Sequence, residues 1–519
     1  MKHGTEPSKT APGGRLKVVA MDGRGNVVPA PSTSSVVRHA ATCKMATSFQ
    51  ATRFALALLL LLGPDAGTAI RVTSLAHGQE SENVQESRSF SLPFDRPSPQ
   101  PDAQPRSIEQ FWKLAGITEQ DWAKFDDQEG VSDAERPVLL RIVERLSQLE
   151  PDELAAMALD EPDAAIAWQA PAQHRGQMVS AAGRARRCKP VELTEQEKSH
   201  YATTGLFRIE VDIQDFGFLI LYAAHVPEAW QQAEELNEPM RAWAVLTEGG
   251  GGTQLWASAV TPRVAWYPVE ARPELGVLPS HVRLARQGFD IAWLDHLRKS
   301  NGQPLAAADR APFYTLLAVV QKEDVTELEA TAFQKLDLPQ LLFHAQQYQG
   351  QLFSFTASVR RATKVEVDDQ AVKERFGLSA YYELDILIPL GDVSIQLPGP
   401  DPQKRPVYEN NYPATVCTVR VPEAIEQAAR RAAAGKSESP LINETVRVKG
   451  YFFKIWAYPS EYVASRAPGQ LHPSPLFVAT TVEVVASPSP PRDHWLSATV
   501  AVIFVVGMLA IVYLAWKWK

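Results

Sequence analysis

The sequence predicts a mainly β protein with α content: a small N-terminal helical subdomain, two five-stranded barrels and one C-terminal transmembrane helix. Three observations predict it. An apolar run without a charged residue extends from Leu496 to Trp516. Six short sequence matches recur in the same order between residues 159 and 475, the mark of an internal duplication. In the second copy, five β-rich runs surround one Ala-rich helix.

The first segments concern export. Residues 1–44 are polar, rich in Gly, Pro and Ser, and aperiodic, so we read them as a non-native extension or disordered chain, with translation starting at Met45. Segment 45–76 reads as a signal peptide. Met45–Arg53 carries one positive charge, Phe54–Leu62 is an apolar core too short to span a bilayer, and small residues flank Thr68 and Leu75 at two possible cleavage points. Residues 77–106, rich in Ser, Pro and charge, read as a disordered linker.

Residues 107–160 read as the helical subdomain. Ser107 with Gln110 opens a helix that ends at Gly116, and Thr118 with Asp121 opens a second. Ser132 with Glu135 opens a third, whose Val138, Leu139, Ile142, Val143, Leu146 and Leu149 form a stripe that needs a partner surface.

The duplicated domains follow, at 161–322 and 336–486. Gly176-Gln177 with Arg186-Arg187 matches Gly350-Gln351 with Arg360-Arg361 at a constant offset of 174. Leu159-Asp160 matches Leu336-Asp337, Glu210–Ile213 matches Glu383–Ile386, and Val226–Ala229 matches Val421–Ala424. Trp293 and Pro312 match Trp456 and Pro475. The second copy predicts strands at Leu352–Arg361, Tyr381–Ile388, Ala414–Val421, Thr445–Tyr458 and Leu476–Val485, with a helix over Pro422–Ala434. The first predicts strands at Met178–Arg187, Leu206–Ile213, Phe218–His225, Val282–Leu294 and Phe313–Val320, a helix from Pro227, and a hairpin-like insertion at Arg241–Val269.

This element order resembles the OB-fold, in tandem within an exported single-span bacterial membrane protein. The resemblance implies a ligand face on the second and third strands, rimmed by loops, of the kind that takes oligonucleotides, oligosaccharides or protein segments. It bears on architecture more than on activity.

The chain's closing run spans about 30 Å as a helix, the thickness of a bilayer core. Trp495, Tyr513, Trp516 and Trp518 mark its ends, and Lys517 and Lys519 place a short tail in the cytoplasm. The bulk of the chain is then periplasmic or extracellular. A net charge of −8 speaks against a nucleic-acid partner. Cys188 and Cys417, the two cysteines beyond the signal segment, read as small buried residues, with a pairing between them left open.

No HExxH, GxSxG, Walker-type loop or Cys/His cluster occurs, so no catalytic residue, cofactor or metal is expected. Gly249–Gly252 reads as a turn. Glu210/Asp212 and Glu383/Asp385 would share a face of their strand, either as paired acids for proton transfer or, as we expect, on a solvated outer face with Val211 and Leu384 inward. The basic side chains Arg186, Arg187, Lys189, Arg360, Arg361 and Lys364 end each first strand, and Lys449, Tyr451 and Lys454 lie on a fourth strand. Charge plus an aromatic suits a polyanion or sugar polymer, so these nine are the expected ligand-binding residues. The expected function is a membrane-anchored, exported, non-enzymatic binding or scaffolding protein of the cell envelope, with the bilayer and an envelope protein or polysaccharide as partners. The alternative is an envelope enzyme with an inter-domain carboxylate site.

Overall fold

The computed structural model describes residues 19–22, 107–126, 130–214, 216–250, 255–329, 333–398, 401–433, 442–485, 507–511, 513, 514 and 516–518. The segments read as signal peptide and linker, 45–76 and 77–106, lie outside these residues, as do the other residues of 1–44 and most of 496–516.

A helical cap comes first, with α1 (Ile108–Ala115), α2 (Glu119–Trp122), α3 (Arg136–Leu146) and α4 (Pro151–Ala156). Its start and stop signals act as the sequence implies. Ser107 Oγ accepts from the Gln110 amide at 3.3 Å, Gly116 takes φ 70°, and Thr118 and Asp121 form a reciprocal capping box. The stripe on α3 finds its surface on the outside of the first barrel, where Ile220, Tyr222, Ala224, Val245 and Val260 join the same core. Next, α5 (Glu161–Gln169) begins after Asp160, and Gly176, at φ 83°, turns the chain into the barrel.

The first barrel comprises β1 (Met178–Pro190), β2 (Phe207–Ile213), β3 (Gly217–His225), β4 (Glu238–Gly250) and β5 (Trp256–Arg263). Its order is β1-β2-β3-β5-β4, closed by β4 pairing with β1, and β3 runs parallel to β5. Closure requires β1 to bend across β2, and Gly183 makes the close approach possible. A Cβ there would sit 2.4 Å from the Asp212 carbonyl oxygen. Backbone cannot swing aside as a side chain can, so Gly183→Ala is expected to cost about 1–3 kcal/mol, read from urea denaturation. An unchanged midpoint would mean that β1 is free to shift.

A second cap follows: α6 (Pro279–Arg286), α7 (Trp293–Lys299) and α8 (Arg310–Lys322). This corrects the sequence reading, which placed strands at Val282–Leu294 and Phe313–Val320. The fourth and fifth strands are instead the supposed insertion, and Gly249 and Gly250 are ladder residues facing Ala257 and Trp256. The cause is burial. Helix α8 lies between two barrels, so Phe313, Tyr314, Leu316, Leu317, Val319 and Val320 are all buried and no polar face shows a helical period.

After α9 (Leu338–Phe343), the second barrel comprises β6 (Leu352–Glu366), β7 (Ala380–Pro389), β8 (Asn411–Thr418), β9 (Glu444–Tyr458) and β10 (His472–Val484), with α10 (Glu423–Ala433) after β8. All five strands and the helix fall where the sequence puts them. The order is β6-β7-β8-β10-β9, closed by β9 pairing with β6, with β8 parallel to β10. Strand Val19–Asp22 pairs antiparallel with Val393–Gln396 in a small separate sheet beside this barrel.

The two cap-and-barrel units match in detail. Asp160 and Asp337 each precede a helix, and Gly176 and Gly350, at φ 83° and 71°, each precede the first strand. The Gly176 amide donates to Leu246 at 2.8 Å, and the Gly350 amide donates to Phe452 at 2.9 Å. Just beyond these acceptors both fourth strands break register, after Leu246 and after Phe452. The Trp293–Trp456 match fails, because Trp293 is on helix α7 and Trp456 on strand β9. One hydrophobic core joins the first barrel, the second cap and the outer face of the second barrel. Cys188 and Cys417 are both buried and are not joined in a disulfide.

Among the described residues, no helix is long and apolar enough to cross a membrane. The described part of 496–516 is helical and exposes Met508, Leu509, Ile511, Tyr513, Leu514 and Trp516.

Candidate functional site

Three of the expected rim bases pair with acids of the neighbouring strand. On β1 and β2, Arg187 stands opposite Glu210, with its guanidinium 3.2 Å from that carboxylate. Arg186 reaches Asp212 at 2.6 Å, and in the second barrel Arg361 reaches Asp385 at 2.7 Å. Arg360 donates to Asn443 Oδ1 at 2.9 Å, and Lys364 lies 2.6 Å from Glu366. Val211 and Leu384 point inward with no exposure, and Asp212 is exposed, as the outer-face reading expects. Glu383 departs from it: only 5% exposed, it accepts from the Tyr381 hydroxyl at 3.2 Å, in the region covered by the second cap. Exposed pairs of this kind contribute little stability, about 0–1 kcal/mol each.

Arg187 and Lys189 also line a cavity of about 340 Å³ with Gln231, Gln232, Ala233 and Glu234. Gln232 and Ala233 are shared with a second cavity, about 410 Å³, which runs to Glu274 and Arg298 along the seam between the first barrel and the second cap. This groove is the open ground beside the expected rim.

The fourth-strand residues lie elsewhere. Lys449 is 8% exposed and lies 3.1 Å from Glu483. Tyr451 is enclosed and donates to Glu323 Oε1 at 2.8 Å, where Thr480 Oγ1 also donates to Oε2 at 2.6 Å and Arg283 forms an ion pair. Lys454 is wholly buried, 3.1 Å from Asp309 and 2.9 Å from Ser300 Oγ. Tyr451 and Lys454 therefore bind the second cap to its barrel rather than face a ligand. His296 Nε2 lies 2.9 Å from Asp309 Oδ1 and completes this network. Burial opposes ionisation of Asp309, but His296 and Lys454 outweigh it and hold the carboxyl below its ordinary range. A lysine beside a serine suits nucleophilic catalysis, yet neither cavity is lined by any member of the network.

Sequence reasoning missed a further cluster. Asp126, Glu135 and Glu248 bring their carboxylate oxygens within 4.8 Å of one another between the first cap and the first barrel. The repeat offset was the available signal: 174 residues on from Glu135 stands Asp309, likewise a buried acid at the start of a cap helix.

No protein family and no curated protein matches this chain.

Proposed function

We propose that this chain is a non-enzymatic binding or scaffolding protein of the cell envelope. It is exported by the signal peptide at 45–76 and held by one span at 496–516, with tandem OB-type barrels that arose by duplication of a cap-and-barrel unit. The observation that carries this reading is the placement of the caps. In each unit the outer face over the third, fifth and fourth strands lies beneath helices, and one core runs from the first barrel through the second cap to the second barrel. Such an assembly suits holding a partner at a fixed distance from a bilayer. The strand order and the parallel pairing of third and fifth strands support the OB-type reading.

The ligand ground left open is the groove at Arg187 and Lys189, suited to an acidic polysaccharide or protein segment. The enzymatic alternative gains no support from the duplicated acids, since Glu210, Asp212 and Asp385 each face an arginine of their own barrel. Two measurements test the proposal. Fractionation is expected to leave the full chain in the membrane pellet until detergent is added, and recovery in the soluble fraction refutes the anchor. Arg187→Ala with Lys189→Ala is expected to reduce recovery of the envelope partner at least about tenfold, since exposed charge sets encounter and register. Recovery equal to that of the unchanged chain removes the groove.

A further inference from the structure

We propose that Asp126, Glu135 and Glu248 form a binding site for one hard divalent cation of the calcium class, seated between the first cap and the first barrel. Three separate elements supply the ligands. Asp126 comes from the turn after α2, Glu135 from the residue preceding α3, and Glu248 from the register break on β4. Their oxygens all lie within 4.8 Å of one another. Oxygens held at about 2.3–2.6 Å from a common calcium can be no farther apart than roughly twice that distance, so the spacing fits one shared ion. An all-oxygen donor set without sulfur or imidazole selects a hard cation.

Burial and hydrogen bonding add a second, independent reason. Glu135 and Glu248 are each 1% exposed. Glu135 is fixed in place, since Oε1 accepts from the Asp126 amide at 3.0 Å and Oε2 from the Ser132 amide at 2.6 Å. Oε1 of Glu248 is buried and has no hydrogen-bond partner. A fixed anion beside a buried, partnerless carboxylate oxygen is costly without a compensating positive charge.

The second unit supplies that compensation covalently. Its fourth strand breaks register between Phe452 and Lys454, as the first unit's does between Leu246 and Glu248. Glu248 and Lys454 are therefore structural counterparts, as are Glu135 and Asp309. Where Lys454 places an ammonium 3.1 Å from Asp309, the first unit places another acid against its acid. A bound cation in the first unit takes the role that the lysine takes in the second. Asp126 is exposed, which gives the ion a path from solvent.

The experiment uses the full chain in detergent, stripped of metal, at neutral pH. Calorimetric titration with CaCl2 is expected to give one calcium per chain, and millimolar CaCl2 to raise the unfolding temperature by several degrees. The near-isosteric Glu248→Gln is expected to weaken calcium binding at least about tenfold and abolish the temperature rise. Glu248→Lys, which copies the second unit, is expected to lose calcium binding yet unfold without calcium no lower than the unchanged chain. Should Glu248→Lys misfold, Glu248→Gln still decides. Absence of both heat and temperature rise in the unchanged chain overturns the site, leaving a carboxyl pair that shares a proton. A calcium response that survives Glu248→Gln overturns it as well, by showing an adventitious ion only.

Discussion

Replacing Lys454 by Met is expected to cost the protein about 3–5 kcal/mol, the range found when one partner of a buried ion pair is removed. Asp309 has no side-chain exposure, and its remaining polar partners are His296, Ser300 and the Ala306 amide. Without the ammonium its charge must be borne by hydrogen bonds in a site that water does not reach. Met fills much the same volume as the lysine stem, so the loss reports electrostatics rather than a cavity. Removing both charges at once, with Lys454→Met and Asp309→Asn, is expected to recover much of the loss, because no uncompensated charge is then buried. Urea denaturation of the two single variants and the pair gives the cycle directly. A single-variant loss below about 1 kcal/mol would place the pair in water and refute its role in fixing the second cap to its barrel.

That pair also shows which parts of the molecule were legible beforehand. Strands β6 to β10 could be read because they alternate or carry β-branched and aromatic runs, and because α10 begins after Pro422. Strands β4 and β5 are hard to read from the sequence for two reasons: glycines end β4 like a flexible turn, and α8 is apolar over most of its surface because it lies between two barrels. The offset of 174 that relates Gly176–Arg187 to Gly350–Arg361 also relates Glu135 to Asp309, although Asp160 and Asp337 between them lie 177 apart. It could not link Glu248 with Lys454, which lie 206 residues apart because the second unit has longer connections before its fourth strand. Trp293 and Trp456 lie beyond that shift, so their spacing does not mark equivalent positions. At the rim, the bases and acids were both noticed, but their pairing across adjacent strands depends on register, which residue order alone does not give.

His281 and His472 are expected to draw stability down on acidification from about pH 6.5, the ordinary histidine range, toward about pH 4, by taking up close to two protons on unfolding, while Glu248, pushed up to about 8 by burial, releases about one over the same range. His281 accepts the Leu278 amide at Nδ1, 3.2 Å away, and its Nε2 lies 2.9 Å from the Gln349 carbonyl, a neutral tautomer used on both sides. Burial, with a lesser push from Arg298, lowers its pKa to about 4. His472 is enclosed by Tyr408, Tyr412 and Tyr458, and burial lowers it to about 3. Both folded values lie below the unfolded one, so the stabilisation is complete above about pH 6.5 and is lost as pH falls toward the folded values. Two protons correspond to a slope of about 2.7 kcal/mol per pH unit, with stability rising as pH rises. Asp121 and Glu197, both held near 2, oppose folding loss only until their own unfolded range near pH 4, so they steepen the decline below it. Urea denaturation of the Glu248→Gln chain, which lacks that opposing carboxyl, at closely spaced pH values between about 5 and 6.5 reads the histidines. On that background His472→Phe, which keeps a ring among the three tyrosines, is expected to halve the slope, whereas a slope near zero before that change would mean that both rings can be protonated without unfolding.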